Sequence, residues 1–124
     1  MITILAPLFE WMQGSDRPEP GRSRNNLAMS YLAEGRPDKA IPLLERRFAY
    51  WQWSMGADHQ NTLRSRINLA MGYRAAGRTA EAILLLERTV ADCERVLGAD
   101  HPDTKAARDD LAALTAEPEM PRHT

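Results

Sequence analysis

Gly14-Ser15-Asp16-Arg17-Pro18, Gly56-Ala57-Asp58-His59-Gln60 and Gly98-Ala99-Asp100-His101-Pro102 are three copies of one phrase, and their glycines stand 42 residues apart. The match continues outward from each copy. Arg22-Ser23-Arg24 aligns with Arg64-Ser65-Arg66, and Asn26-Leu27-Ala28-Met29 with Asn68-Leu69-Ala70-Met71. Tyr31, Gly35-Arg36, Ala40-Ile41 and Leu43-Leu44-Glu45-Arg46 recur as Tyr73, Gly77-Arg78, Ala82-Ile83 and Leu85-Leu86-Glu87-Arg88. A fixed period in this range is the signature of a solenoid or array, in which each unit buries its apolar face only by stacking on the next.

Within a unit the pattern is helical twice over. Leu27, Ala28 and Tyr31 share one stripe at helical spacing, which predicts that they face the core. Gly35 then supplies the left-handed stop that ends a helix. Pro37-Asp38 opens a second helix, with Asp38 expected at its N-cap. Ala40, Ile41, Leu44, Phe48, Trp51 and Met55 share its buried face, and Gly56 ends it. Asp58 and Asp100 are expected to cap the helices that follow, Pro102 is tolerated in a first turn, and Pro42 lies early enough in its helix to be accommodated.

Asn26, Leu27, Ala28, Tyr31, Gly35 and Ala40, repeated as Asn68, Leu69, Ala70, Tyr73, Gly77 and Ala82, resemble the tetratricopeptide consensus. The unit is longer than the usual 34 residues. That length, with the Gly-x-Asp-His-Pro-x-Thr linker, resembles the extended repeats of kinesin light chains. The resemblance covers nearly the whole chain. It implies an all-α fold, a right-handed αα-superhelix. Two full helix pairs at about 22–55 and 64–97 are expected, with a partial N-terminal helix before them. A closing helix at 103–116 begins a third unit, and 118–124 forms a polar tail, so that 1–117 is one domain.

The chain has 124 residues, 44% of them hydrophobic and 27% charged, which is enough for one domain with a modest core. A net charge of −1 and a pI near 6.3 argue against nucleic acid or an anionic membrane as a partner. The longest apolar run, Ile4 to Phe9, is far too short to span a bilayer, and one cysteine, Cys93, permits no intrachain disulfide. A cytoplasmic location is the expectation that fits these features.

Arg22, Asn25, Asn26, Met29 and Leu32 lie opposite the core stripe of the first helix, and Arg64, Ile67, Asn68, Met71 and Arg74 hold the same positions in the next unit. The resemblance implies that these first helices line a concave groove for peptides, with Asn26 and Asn68 in the place of the asparagine that bonds a ligand's backbone. An amide suits that task because it both donates and accepts. Methionine suits an adaptable apolar floor. The third unit departs from this pattern with Ala106, Asp109, Asp110 and Ala113, and Asn25 and Met29 replace the groups that clamp a C-terminal dicarboxylate. On the second helix Trp53 lies opposite the core stripe beside Arg46 and Tyr50, and Trp11 falls in the same register further upstream. Together they are a candidate interface for a partner or a second copy.

Chemistry is not expected. His59 and His101 each follow an aspartate but stand one repeat apart, too far to share an ion, so a local role is expected, with the aspartate capping and the histidine packing. Cys93 aligns with Trp51 on the buried stripe. No phosphate loop, dinucleotide fingerprint, zinc spacing or nucleophile elbow is present, so neither a cofactor nor a metal is anticipated. Glu45, Glu87 and nearby aspartates are expected to neutralise Arg22, Arg24, Arg64 and Arg66. The functional expectation is a protein-interaction module acting through the groove. The alternatives are a self-assembling homodimer, or part of a larger regulatory protein.

Overall fold

The computed structural model describes residues 22–116 and, within them, side chains from Asn25 onward. Five α-helices follow one another in this span: α1 (Arg22–Ala33), α2 (Pro37–Met55), α3 (Gln60–Ala75), α4 (Thr79–Val96) and α5 (Pro102–Ala116). Each packs against its neighbours in the chain, α1 on α2, α2 on α3, α3 on α4 and α4 on α5. Short connections force this order, because a few residues only let the chain double back on itself.

The turn inside each pair is built the same way twice. Gly35 at φ 75° lets its N–H reach the carbonyl of Leu32 at 3.0 Å, while the Arg36 N–H reaches that of Tyr31 at 2.8 Å. Gly77 at φ 80° repeats the arrangement toward Arg74 at 3.0 Å, with Arg78 bonded to Tyr73 at 2.8 Å. This pair of bonds is the Schellman stop, and it needs the left-handed backbone that glycine adopts without strain. The arginine after each glycine then lies over the tyrosine ring, Arg36 on Tyr31 at 5.4 Å and Arg78 on Tyr73 at 4.5 Å. The repeated Tyr-x-x-x-Gly-Arg pattern therefore encodes both a helix stop and a cation–π contact.

The core repeats as well. Ala28, Ala40, Ile41, Leu44 and Leu69 form one buried cluster, and Ala70, Ala82, Leu86 and Leu114 form the next. Ala28, Ala40 and Leu44 have their counterparts, one repeat on, in Ala70, Ala82 and Leu86. The alanines let paired helices approach, and each buried leucine contributes about 2–3 kcal/mol. Leu69 and Leu114, from the first helix of the following unit, close each cluster.

Several expectations need correction. Leu27 was expected in the core with Ala28 but is 46% exposed, whereas its equivalent Leu69 is 4% exposed against α2. Met55, expected on the buried stripe of α2, is also largely exposed, lying at the last residue of its helix. Asp38 is not a cap: Arg36 holds that position without a side-chain cap bond, and Asp38 sits in the first turn, where its charge favours the helix dipole. At α3 and α5 the histidine caps rather than the aspartate. His59 Nδ1 accepts the Asn61 N–H and His101 Nδ1 the Asp103 N–H, each at 3.0 Å. Cys93 is fully buried, and burial pushes its thiol up.

Candidate binding face of the first helices

Helix α3 is enclosed on two sides. Leu69 and Gly72 face α2, where a Cβ on residue 72 would stand 2.9 Å from Leu44 Cδ1, and Ala70 packs with Leu86 of α4. Thr62, Leu63, Ser65 and Arg66 are buried as well. What stays open is a narrow stripe of exposed Arg64 with half-buried Asn68 and Met71, spaced four and three residues apart on one helical face. On α1 the same stripe holds exposed Asn26 and half-buried Met29.

Neighbouring first helices are tied together along this face. Asn68 Nδ2 donates to Asn25 Oδ1 at 3.3 Å, joining α3 to α1. Arg64 Nε and Gln60 Nε2 both donate to Asp103 Oδ2, at 3.1 and 3.0 Å, joining α3 to α5. Further along, burial raises the Asp110 carboxyl above its ordinary value, and the nearby Arg74 charge opposes that shift. The face is therefore a row of amides and methionines on α1 and α3, passing into paired arginines and aspartates toward α5.

Of the residues expected here, Asn25, Asn26, Met29, Arg64, Asn68 and Met71 lie on or beside the stripe, and half-buried Arg74 stands at its C-terminal end. Ile67 does not join them. It is only 8% exposed, because the packing of α3 between its neighbours buries more than the single stripe the periodicity indicated. Arg22 opens α1, but its side chain is outside the described residues. Of the expected partners of the basic pair, aspartates rather than Glu45 engage Arg64 and Arg66. Asp103 takes Arg64, and Asp92 takes Arg66 at 2.7 Å, while Glu45 instead accepts the Tyr73 hydroxyl at 3.2 Å. The role of Asp103 went unread in the sequence. Register held the signal, since contacts between successive first helices join residues about one repeat apart.

On the outer side of α2, Trp53 is 73% exposed and Arg46 is exposed, while Tyr50 is half-buried edge-on to Trp51, with ring centroids 5.0 Å apart. Trp11 lies outside the described residues. Beneath this surface Trp51 stacks on His59 at 6.1 Å, and the Arg47 guanidinium lies over the Trp51 ring at 5.9 Å. The capping nitrogens of His59 and His101 are occupied by backbone N–H groups. Among the described residues no group of three or more His, Cys, Asp or Glu is placed to hold a metal ion, and no helix is long and apolar enough to cross a membrane.

Among curated proteins none matches the sequence. Among solved structures, the chain is similar to the nearly identical tetratricopeptide-like repeats of a candidate kinesin light chain from Podosopora anserina, at 34% identity and a TM-score of 0.70 over 75% of its length. A single-substitution variant of that protein matches equally well. The chain covers 44% of each of those chains, so it spans less than half their length. The tetratricopeptide repeat family matches residues 19–94. With the repeated helix pairs and the kinesin-light-chain-like likeness, this match shows that the chain belongs to the tetratricopeptide repeat family.

Proposed function

We propose that the chain binds an extended peptide or partner segment along the face formed by α1 and α3, bounded by the Arg64–Asp103 pair. Tetratricopeptide repeats are in general protein–protein interaction modules, a non-enzymatic scaffold kind. The observation that carries the more specific reading is the stripe of exposed Asn26 and half-buried Asn68 and Met71 on neighbouring first helices, with half-buried Met29, partly packed on the core, beside it. Asn68 spends one donor on Asn25 and keeps a carbonyl and a second N–H, enough to meet a strand-like backbone. The methionines supply apolar contact that adapts to the ligand side chain.

Selection from a random peptide library on the immobilised protein, followed by calorimetry, tests this. Asn68→Ala with Met71→Glu should weaken the selected peptides about tenfold or more, a loss near 1.4 kcal/mol, while circular dichroism stays unchanged. Trp53→Ala should bind as the parent does. Equal binding by the double variant would remove this face from consideration.

The exposure of Trp53 favours a second reading, self-association through the outer face of α2. Light scattering decides it. A mass of 14.0 kDa across a wide concentration range excludes it, and a dimer that Trp53→Ala dissolves supports it.

A further inference from the structure

The first helices carry one residue in the same register on the binding face: Asn26 on α1, Asn68 on α3 and Asp110 on α5, each 42 residues from the last. Two hydrogen bonds show how successive first helices meet here. Asn68 bonds Asn25 and Gln60 bonds Asp103, and the members of each pair stand 43 residues apart. Asp110 lies about two helical turns beyond Asp103, and Ile67 the same two turns beyond Gln60, so this register sets Asp110 against Ile67. Where Asn68 meets an amide, Asp110 meets a buried hydrocarbon side chain with nothing to donate.

The result is a half-buried carboxylate without a donor. Among the described residues Asp110 takes no hydrogen bond and no ion pair. Burial raises its carboxyl, the Arg74 charge opposes that shift, and neighbouring Asp109 adds to it. Asp103, the other half-buried acid of α5, already accepts from Arg64 and Gln60. Exposed Ala113 stands where α1 and α3 carry Met29 and Met71, so no long side chain at that position covers the approach to Asp110. A carboxylate drawn partly out of water is costly to keep charged, and a cation bearing N–H groups offsets that cost.

We propose that Asp110 sets the specificity of the binding face by taking a lysine or arginine side chain of the bound segment. This rests on the reading of α1 and α3 as that face and deepens it: the asparagines meet the backbone of the segment, and Asp110 meets a charge. A neutral donor restores one hydrogen bond, whereas a cation supplies the bond and the opposite charge together.

Selection from a random peptide library on the full chain, run side by side on the parent, Asp110→Asn and Asp109→Asn, is the test. Asparagine keeps the shape of the side chain and matches Asn26 and Asn68, so Asp110→Asn should give the parent's circular dichroism. Peptides selected on the parent should share a lysine or arginine at one position. Replacing that residue by glutamine should weaken binding to the parent about tenfold or more in calorimetry. On Asp110→Asn the enrichment should vanish, and the same replacement should cost about threefold or less. Asp109→Asn changes the net charge equally and should select as the parent does. Equal loss of enrichment in both variants overturns the proposal, because it assigns the preference to the general charge of α5. Parent-selected peptides without lysine or arginine overturn it too. If such peptides still lose binding to Asn68→Ala with Met71→Glu, the binding face stands and only the role of Asp110 falls. If that double variant binds them as the parent does, the face itself is wrong and the role of Asp110 falls with it.

Discussion

Gly72 and Leu44 are in contact across the α3–α2 interface so closely that a Cβ at residue 72 would meet Leu44 Cδ1 at 2.9 Å and Ile41 Cγ1 at 3.2 Å. Leu44 is fully buried, so its Cδ1 must shift within the core to admit a methyl group at residue 72. Alanine would gain about 1 kcal/mol of helix propensity over glycine. Overpacking a filled core costs about 1–3 kcal/mol. Gly72→Ala is therefore expected to lower stability by about 1 kcal/mol in urea unfolding, and Gly72→Val by more. A stabilised Gly72→Ala would show that the two helices separate easily.

The cap at α5 provides a second test. His101 Nδ1 satisfies the Asp103 N–H, one of the orphan donors at the start of the helix. His101→Ala should cost about 1 kcal/mol, and His101→Asp should restore most of it, because a carboxylate accepts the same bond. Asp100→Ala should change little, since Asp100 is exposed. Thermal unfolding of the three variants distinguishes a histidine cap from an aspartate cap.

Acid sensitivity should trace to the pair that joins α3 to α4. The Arg66 hydrogen bond holds the Asp92 carboxyl below its ordinary value, against the opposing effect of burial, and a bond from Arg95 adds to the lowering. The folded protein therefore binds fewer protons than the unfolded chain as the pH drops below the aspartate range. The contribution is fully present above the ordinary value of 3.8 and is lost as the pH falls through the lowered folded value. Asp92→Asn should lose roughly 1–3 kcal/mol at neutral pH, the worth of a hydrogen bond to a charged partner. Its melting temperature should also decline less than the parent's between about pH 4 and pH 2. Parallel declines would exclude Asp92 as the responsible group.

Cys93 is fully buried, and burial pushes its thiol up, so little nucleophilic thiolate is presented to solvent. A thiol reagent should modify the native protein slowly and the denatured protein fully within minutes. Rapid labelling of the native chain would mean that α4 is not held against α5 as described.

The repeat made the fold legible because its landmarks are local. The Tyr31–Gly35–Arg36 stop, the Ala28–Ala40–Leu44 cluster and their copies one unit later depend on residues close in sequence. The positions misread are those decided by neighbours along the array. Leu27 and Leu69 are the same residue in the same register, yet Leu69 is buried against α2 while Leu27 is exposed, a difference that no local pattern displays. Ile67 looked like a groove residue on periodicity alone, yet packing of α3 on both sides buries it. The caps were misassigned because aspartate is the commoner capping residue, while the turn geometry here places the histidine next to the helix start. Asp103 was overlooked because its bonds to Gln60 and Arg64 reach across a whole unit, which no local pattern displays.

The most direct test of the binding face is a methyl NMR titration of the full chain with a library-selected peptide. The methionine methyls are labelled and assigned by single Met→Leu changes, and the Trp53 indole is followed in the same samples. The account predicts that the Met29 and Met71 methyl signals shift with saturation while the Trp53 indole stays fixed. Movement of the Trp53 indole with Met29 and Met71 unchanged would contradict it and place recognition on the outer side of α2.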